Sequence, residues 1–238
     1  MESRASSPGH LAAGPARTPV APPPNESALG RFTSLKAEFF NRDPRRVARA
    51  LLGKLLIRKT PRGILAGRIV ETEAYLGKND AAAHAAAGRT ARNAVLFGPP
   101  GHAYVYFIYG NHYCLNVSCL PDGVPGCVLF RAMEPVSGIE QMAETRGIEV
   151  AKGMDPTKVP FLKKISSGPG RMAEALEITR DRDNAKSLVS ARSDLRVADD
   201  GYRVRRVVVT PRIGIVKSVE QPLRYFIAGN AFVSARRS

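Results

Sequence analysis

The sequence predicts an α+β fold, in which helices flank a largely antiparallel sheet. Three observations favour it. Strand-like segments follow one another in runs, helical patterns lie towards the two ends of those runs, and 238 residues suffice to bury one substantial core. We find no GxGxxG, P-loop or HExxH motif, which argues against the commonest nucleotide-binding and metalloprotease classes.

The N-terminal segment, residues 1–30, is predicted to be a disordered tail. It is rich in Pro, Ala, Gly and Ser and lacks periodic apolar residues, so it cannot bury enough surface to order itself. A transit peptide is the alternative, but Glu2, Glu26 and the triple proline count against it. We therefore expect one folded domain over residues 31–238.

The first folded element is predicted to be a helix beginning after Asp43. Asp is a favourable N-cap and Pro44 suits the first helical position. Val47, Ala48, Leu51 and Leu52 follow at helical spacing. Gly53 can end the helix, and "LLIRK" then begins a strand.

The remaining elements are mostly strands, with two helices between them. Strands are predicted at 64–75, 103–109, 113–119, 126–133, 203–209 and 223–228. The helix at 138–146 begins with a capping box, Ser137-x-x-Glu140, and the helix at 169–177 follows "SGP".

The charge of the chain indicates a polyanionic partner. Its net charge is +15 and its pI about 10.2, which favours nucleic acid binding, although a solvated basic surface is the alternative. No apolar run approaches the length of a membrane span, and no secretory signal is seen. Cys114, Cys119 and Cys127 form no CxxC pair, so we expect no disulfide framework and no metal site.

The stretch "RIVETEAYLG" sets two acids in an apolar strand. Residues alternate faces along a strand, so Ile69, Glu71, Glu73 and Tyr75 should share one face. Buried carboxylates are costly unless they are paired or used. Since no nucleophile motif is evident, the candidate chemistry is a carboxylate acting as a general base.

The stretch "AYVYFIYGNHYCLNVSC" predicts a tyrosine-rich hairpin. Tyr109, Gly110 and Asn111 lie at its turn, where Gly110 or Asn111 tolerates positive φ. Tyrosines on strands usually pack in a core. In so basic a chain, however, exposed tyrosines such as Tyr104 and Tyr106 would stack on bases.

The loop "DAAAHAAAGRTARN" follows the acidic strand. Its His84 is either a solvated loop residue or, among small neighbours, part of a site that a flat ligand approaches closely. Arg89 and Arg92 are candidates for phosphate contacts. Arg171 is a third candidate, at a helix start that a plain cap explains equally well.

Taken together, "RIVETEAYLG", "AAH", "YVYFIYG", "CLNVS" and "VLFRAMEP" resemble the alkyladenine (3-methyladenine) DNA glycosylase family. The resemblance runs from about Phe39 to Ser234 and includes "SGPGRMAEAL" and "PLRYFIAG". It implies a single mixed domain with a curved antiparallel sheet and a protruding hairpin. It also implies an enzyme that flips alkylated or deaminated purines out of duplex DNA and hydrolyses the N-glycosidic bond, leaving an abasic site.

The resemblance further implies roles for individual residues. Glu73 would activate the attacking water, with Arg131 near the water and phosphate. Asn116 would collide with the exocyclic amine of guanine, and Tyr109 would intercalate into the duplex. The flipped base would lie among three rings, those of Tyr75, His84 and Tyr106.

Several expectations follow from these roles. With no lysine in the catalytic motif, the enzyme should be monofunctional, and it should need no metal or other cofactor. Glu71 should pair with an arginine and support the strand. We expect a monomer that acts on double-stranded DNA and not on membranes, either cytoplasmic beside a bacterial nucleoid or nuclear in a eukaryote. The alternative function is a non-catalytic nucleic-acid-binding module with a tyrosine stacking surface.

Overall fold

The computed structural model describes residues 32–108, 110–149 and 159–234. These ranges hold nine strands and six α-helices. The predicted tail at 1–30 and the predicted intercalating Tyr109 lie outside the described residues.

The elements follow one another along the chain, with long connections between β3 and β4 and between β8 and β9. The strands are β1 (Thr33–Ser34), β2 (Leu55–Thr60), β3 (Gly63–Tyr75), β4 (Ala103–Ile108), β5 (His112–Ser118), β6 (Cys127–Ser137), β7 (Leu195–Asp199), β8 (Val207–Thr210) and β9 (Arg224–Ile227). The helices are α1 (Ala37–Phe40), α2 (Pro44–Leu51), α3 (Ile139–Thr145), α4 (Val159–Ser166), α5 (Pro169–Ala175) and α6 (Arg180–Asp183).

All the strands of the described ranges form one curved sheet in which every pairing is antiparallel. Seven lie in the order β1-β7-β2-β3-β6-β5-β4, and β9 pairs with both β3 and β8. The predicted α+β fold is therefore confirmed, as is the hairpin formed by β4 and β5. Gly110 at its turn has a φ of +74°, as the turn prediction expected.

Strand β3 organises the sheet and carries the two acids. It pairs with β6 along one edge. Along the other edge it pairs first with β2 and then, over Glu71–Glu73, with β9. The acidic segment thus lies where three strands meet, and it is buried on all sides.

The predicted alternation along β3 is wrong at its centre. The register of β3 against β6 shifts between Ile69 and Glu71, and Ile69 and Val70 both lie in the main apolar core. Beyond this bulge, alternation holds. The hydroxyl of Thr72 donates to the carbonyl of Ala48 in α2, whereas Glu71, Glu73 and Tyr75 interact with residues on the other side.

Helix α2 forms as predicted. The Asp43 carboxylate accepts a hydrogen bond from the Arg45 backbone N–H at 2.8 Å, and Pro44 is the first helical residue. Gly53 follows the helix with a φ of +84°. The apolar face of α2 packs into the main core, which also holds residues of β3, β5 and β6.

The predicted capping box of α3 is wrong. The N-cap is Gly138, with a φ of +69°, and Ser137 donates its hydroxyl to the Ile64 carbonyl instead. A Cβ at position 138 would lie 2.5 Å from the Leu65 side chain and 2.8 Å from the Ile64 carbonyl oxygen. Close packing against β3 therefore selects glycine at the cap.

Other differences concern short elements. The strand predicted at 203–209 begins only at Val207, and β7 and α4 were not predicted. β7 has five residues, and Asp194 and Asp200 flank it, so its apolar signal is brief. Its place in the sheet depends on pairing with β2, which no local pattern reveals.

Candidate active site

A cavity of about 910 Å³ opens at the C-terminal end of β3 and along β4, β5 and β6. The connection between α4 and α5 and the loop between β8 and β9 complete its wall. Six of the predicted site residues line it, namely Tyr75, His84, Tyr106, Asn116, Arg131 and Arg171. The fold therefore brings together residues that are widely separated in sequence.

Glu73 lies immediately behind this wall, with a side chain that is fully buried. Its Oε1 accepts a hydrogen bond from the Ile213 backbone N–H at 2.8 Å and lies 3.1 Å from Nη1 of Arg131. Its Oε2 accepts from the Tyr75 hydroxyl at 3.0 Å. All three donor residues line the cavity, so the carboxylate lies directly behind the cavity wall.

The Tyr75 hydroxyl is held in its protonated form. Burial raises the pKa of Tyr75 well above its ordinary value, and the charge of Glu73 acts in the same direction. The guanidinium of Arg212 lies 4.6 Å from the centre of the Tyr75 ring. Tyr75 therefore presents a hydroxyl donor to Glu73 and an aromatic ring to the cavity.

Arg131 joins the two acids of β3. Its Nε donates to Oε1 of Glu71 at 3.0 Å, while Nη1 faces Glu73. Nε of Arg224 donates to the same Glu71 oxygen at 2.6 Å. The expectation that Glu71 pairs with an arginine is confirmed, and it has two such partners.

An aromatic group forms a second wall of the cavity. The rings of His84 and Tyr106 lie 4.5 Å apart between centres, and Nδ1 of His84 shares a hydrogen bond of 2.8 Å with the Tyr104 hydroxyl. Burial lowers the pKa of His84, with a smaller contribution from Arg92, so the neutral imidazole is favoured. Tyr104 is only 1% exposed, so it supports the wall and offers no open stacking surface.

Asn116 is fixed in the floor of the cavity. It is buried, and its side-chain amide donates to the Tyr104 carbonyl at 3.2 Å. The Cys127 sulfur lies 4.0 Å from Oδ1 of Asn116. Burial raises the pKa of Cys127 to about 12 and that of Cys114 to about 11, so both cavity cysteines are neutral thiols.

Basic side chains surround the opening. Arg171 is exposed at the cavity, whereas Arg89 and Arg92 are exposed but lie outside its lining. Lys164 and Lys217 line it as well, although the sequence had not singled them out. The rim is therefore positively charged, which suits phosphate groups.

Sequence reasoning missed the loop that follows β8. Arg212 anchors it through a buried, bidentate pair with Asp80, at 2.6 and 2.9 Å. This pair holds Ile213 where its N–H meets Glu73. Neither Arg212 nor Asp80 belongs to a recognisable local sequence motif, so only their contact in the folded chain reveals their role.

Two further findings concern the part of the chain that the structure covers. Within it, no group of three or more His, Cys, Asp or Glu side chains is arranged to hold a metal ion. Within the same residues, no helix has the length and apolar character needed to cross a membrane.

Comparison with known proteins extends this description. Residues 38–231 match the family model of methylpurine-DNA glycosylase (MPG). The match covers β2 to β9 and every predicted site residue.

Individual relatives are similar over nearly their whole length. A protein of Koribacter versatilis is 62% identical over 211 residues, covering 89% of this chain and 98% of the relative. A protein of Methanocella arvoryzae is 45% identical over 205 residues, covering 85% and 96%. One of Chlorobaculum parvum is 41% identical over 204 residues, covering 85% and 91%. All three carry the provisional name 3-methyladenine DNA glycosylase.

Proposed function

Since this chain belongs to the methylpurine-DNA glycosylase family, we propose that it hydrolyses the glycosidic bond of a flipped purine with a water activated by Glu73. The enzyme is a DNA-3-methyladenine glycosylase, a hydrolase of N-glycosyl bonds that acts in base-excision repair of alkylated purines. The observation that carries the residue assignment is the buried Glu73 carboxylate directly behind an aromatic cavity.

The reaction needs an anion beside the sugar. As the bond between C1′ and the purine nitrogen breaks, the bonding electrons leave with the base and positive charge develops on the sugar. An ionised Glu73 stabilises that charge and accepts a proton from the water whose oxygen bonds to C1′. Because Glu73 is fully buried, the water reaches it from the cavity side, beside Tyr75, Arg131 and Ile213.

The cavity favours an alkylated purine by its aromatic faces. Alkylation at a ring nitrogen gives the base a positive charge, and electron-rich rings attract cations. We propose that the rings of Tyr75, His84 and Tyr106 enclose the flipped base. The lowered pKa of His84 supports this assignment, because a neutral imidazole does not repel a cationic base.

Asn116 is proposed to exclude normal guanine. A gate of this kind must be rigid, and the buried Asn116 amide is held by its hydrogen bond to the Tyr104 carbonyl. Deaminated purines such as hypoxanthine lack the exocyclic amine and pass the gate. Being neutral, they also need protonation to leave, so we expect slower excision of hypoxanthine than of alkylated bases.

Contacts with the duplex are proposed for the basic rim and the hairpin turn. Arg89, Arg92 and Arg171 would neutralise phosphates. Tyr109 would fill the gap that the flipped nucleotide leaves. We expect a monofunctional, monomeric enzyme that works where the genome lies, beside a bacterial nucleoid or in a nucleus.

The test is Glu73→Gln, assayed by release of free base from a duplex with one hypoxanthine, which lacks the amine that Asn116 is proposed to exclude. We expect the single-turnover rate to fall by about 100- to 10,000-fold, the usual contribution of a general base. Affinity for the damaged duplex should change little, since the amide has nearly the same shape. Glu134→Gln, outside the cavity lining, is the control. Base release by Glu73→Gln at the wild-type rate would refute this role.

A further inference from the structure

Behind the cavity, four buried charged side chains and one serine form a continuous network. We call it the Glu71 network, and its members are Glu71, Glu73, Arg131, Arg224 and Ser234. Arg131 and Ser234 line the cavity, whereas Glu71 and Arg224 do not. The members come from β3, β6, β9 and the segment that follows β9.

Glu71 is the centre of this network. Its side chain is fully buried, and four donors meet its two oxygens. Oε1 accepts from Nε of Arg131 at 3.0 Å, from Nε of Arg224 at 2.6 Å and from the Ser234 hydroxyl at 2.9 Å. Oε2 accepts from the Ser234 backbone N–H at 2.6 Å. The number of donors therefore matches the roughly four acceptor sites that an ionised carboxylate offers.

Arg224 and Ser234 also hold each other. Nη2 of Arg224 donates to the Ser234 carbonyl at 2.9 Å, and its Nη1 lies 3.3 Å from the hydroxyl of Thr210 on β8. The guanidinium lies 4.6 Å from the centre of the Phe226 ring. Arg224 is thus fixed in orientation by three elements, and it fixes Glu71 in turn.

The network is balanced in charge. Two carboxylates, Glu71 and Glu73, face two guanidiniums, Arg131 and Arg224. Without Arg224, one guanidinium would lie between two buried carboxylates. Only the long contacts of Arg131 with the Ile213 carbonyl, at 3.4 Å, and with the Ser234 hydroxyl, at 3.5 Å, would then oppose a rotation that brings a second nitrogen of Arg131 to Glu71 and away from Glu73.

We propose that Arg224 and Ser234 are positioning residues for excision, acting through Glu71 on Arg131. Arg224 and the Ser234 hydroxyl share Oε1 of Glu71 with Arg131, and the Ser234 N–H occupies Oε2, so that Arg131 meets Glu71 through its Nε alone. Nη1 of Arg131 is then directed at Glu73. This inference rests on the proposed function, in which Glu73 activates water, but it assigns a role to Arg224, which does not line the cavity, and to the Ser234 that holds it.

The test compares Arg224→Gln with Arg68→Gln. Arg68 is a matched control, because it is buried, pairs with the Asp200 carboxylate and lies against an aromatic ring, that of Tyr202. It is not a cavity residue. Each variant is assayed for single-turnover release of hypoxanthine, for duplex affinity, and for flipping with a fluorescent base analogue at the lesion.

We expect Arg224→Gln to slow base release by about 10- to 100-fold, the usual effect of misplacing a catalytic group. Affinity and flipping should stay close to wild type, because the cavity wall and the rim are unchanged. Arg68→Gln should leave the single-turnover rate unchanged. Arg224→Lys should recover part of the rate, since it keeps the charge but not the three-way bonding.

The inference is overturned if Arg224→Gln and Arg68→Gln release base equally fast, or if Arg224→Gln loses affinity in proportion to rate. If Arg224→Gln does not fold, Arg224→Lys and Ser234→Ala are judged by the same separation of rate from affinity. Failure of the proposed function is distinguishable, because it shows as base release by Glu73→Gln. If Glu73→Gln is inactive while Arg224→Gln is fully active, the role of Glu73 stands and only the positioning role of Arg224 and Ser234 is refuted.

Discussion

Tyr75 has two separable features at the cavity wall. Its ring faces the space proposed for the purine, and its hydroxyl donates to Oε2 of Glu73 at 3.0 Å. Since burial raises the pKa of Tyr75, this hydroxyl keeps its proton near neutral pH and can donate a hydrogen bond to the carboxylate. The ring therefore contributes to binding, while the hydroxyl contributes to the orientation of the carboxylate.

Tyr75→Phe should separate these contributions. The phenyl ring keeps the stacking surface, so we expect flipping and affinity to be retained. Loss of a hydrogen bond to a charged group, worth about 1.5 kcal/mol, should slow base release by about tenfold. Single-turnover kinetics measure the effect, with Tyr113→Phe, outside the cavity lining, as the control. A Tyr75→Phe enzyme as fast as wild type would show that the hydroxyl is dispensable.

Among elements, the β4–β5 hairpin joins the cavity to the proposed intercalating residue. β4 is an edge strand, and its first half is held from outside. Ala103 exchanges backbone hydrogen bonds with Ala185 and Lys186, and the Val105 N–H donates to Asn184. Near the turn, Phe107 is 46% exposed, so this end of the hairpin faces solvent.

Tyr109→Ser tests the turn of this hairpin. If the phenol ring fills the gap left by a flipped nucleotide, its removal should weaken flipping while phosphate contacts persist. A fluorescent base analogue at the lesion reports flipping, and the salt dependence of binding reports the phosphate contacts. Phe107→Ser provides a control for loss of an exposed aromatic ring from the same hairpin. Unchanged flipping in Tyr109→Ser would contradict the intercalation.

Elements also show which parts of the molecule the sequence could predict. Strong local patterns predicted β3, the hairpin and α2, since alternation, turn residues and caps act over a few positions. Motif resemblance indicated the cavity residues. The backbone N–H groups that hold the two acids could not be predicted, because Ile213 lies 140 residues from Glu73 and Ser234 lies 163 residues from Glu71. Their roles arise only where β9 and the loop after β8 reach β3.

At the scale of the whole molecule, the net charge of +15 does not by itself predict DNA affinity, because the positions of the charges matter. Many basic side chains take part in internal pairs, such as Arg58 with Asp183 and Arg212 with Asp80. The basic residues at the cavity opening, including Lys164 and Arg171, are exposed instead. DNA affinity should therefore depend on the rim more than on total charge.

Salt dependence of binding tests this localisation. Replacing Lys164 and Arg171 together by alanine should reduce the slope of log affinity against log salt by about 0.9 for each phosphate that is no longer neutralised. The control replaces Arg203 and Arg205 together by alanine and so removes the same amount of charge. Both arginines are exposed but lie outside the cavity lining. This control should leave the slope nearly unchanged. Equal slopes for the two double variants would show that charge acts without regard to position.

The buried thiols described in the cavity bear on how long such an enzyme survives. Electrophiles that alkylate purines also attack sulfur, and the thiolate is the form they attack. With pKa values of about 12 for Cys127 and about 11 for Cys114, almost no thiolate is present at neutral pH. The two cysteines that line the cavity are therefore expected to be poor targets for the reagents that alkylate purines.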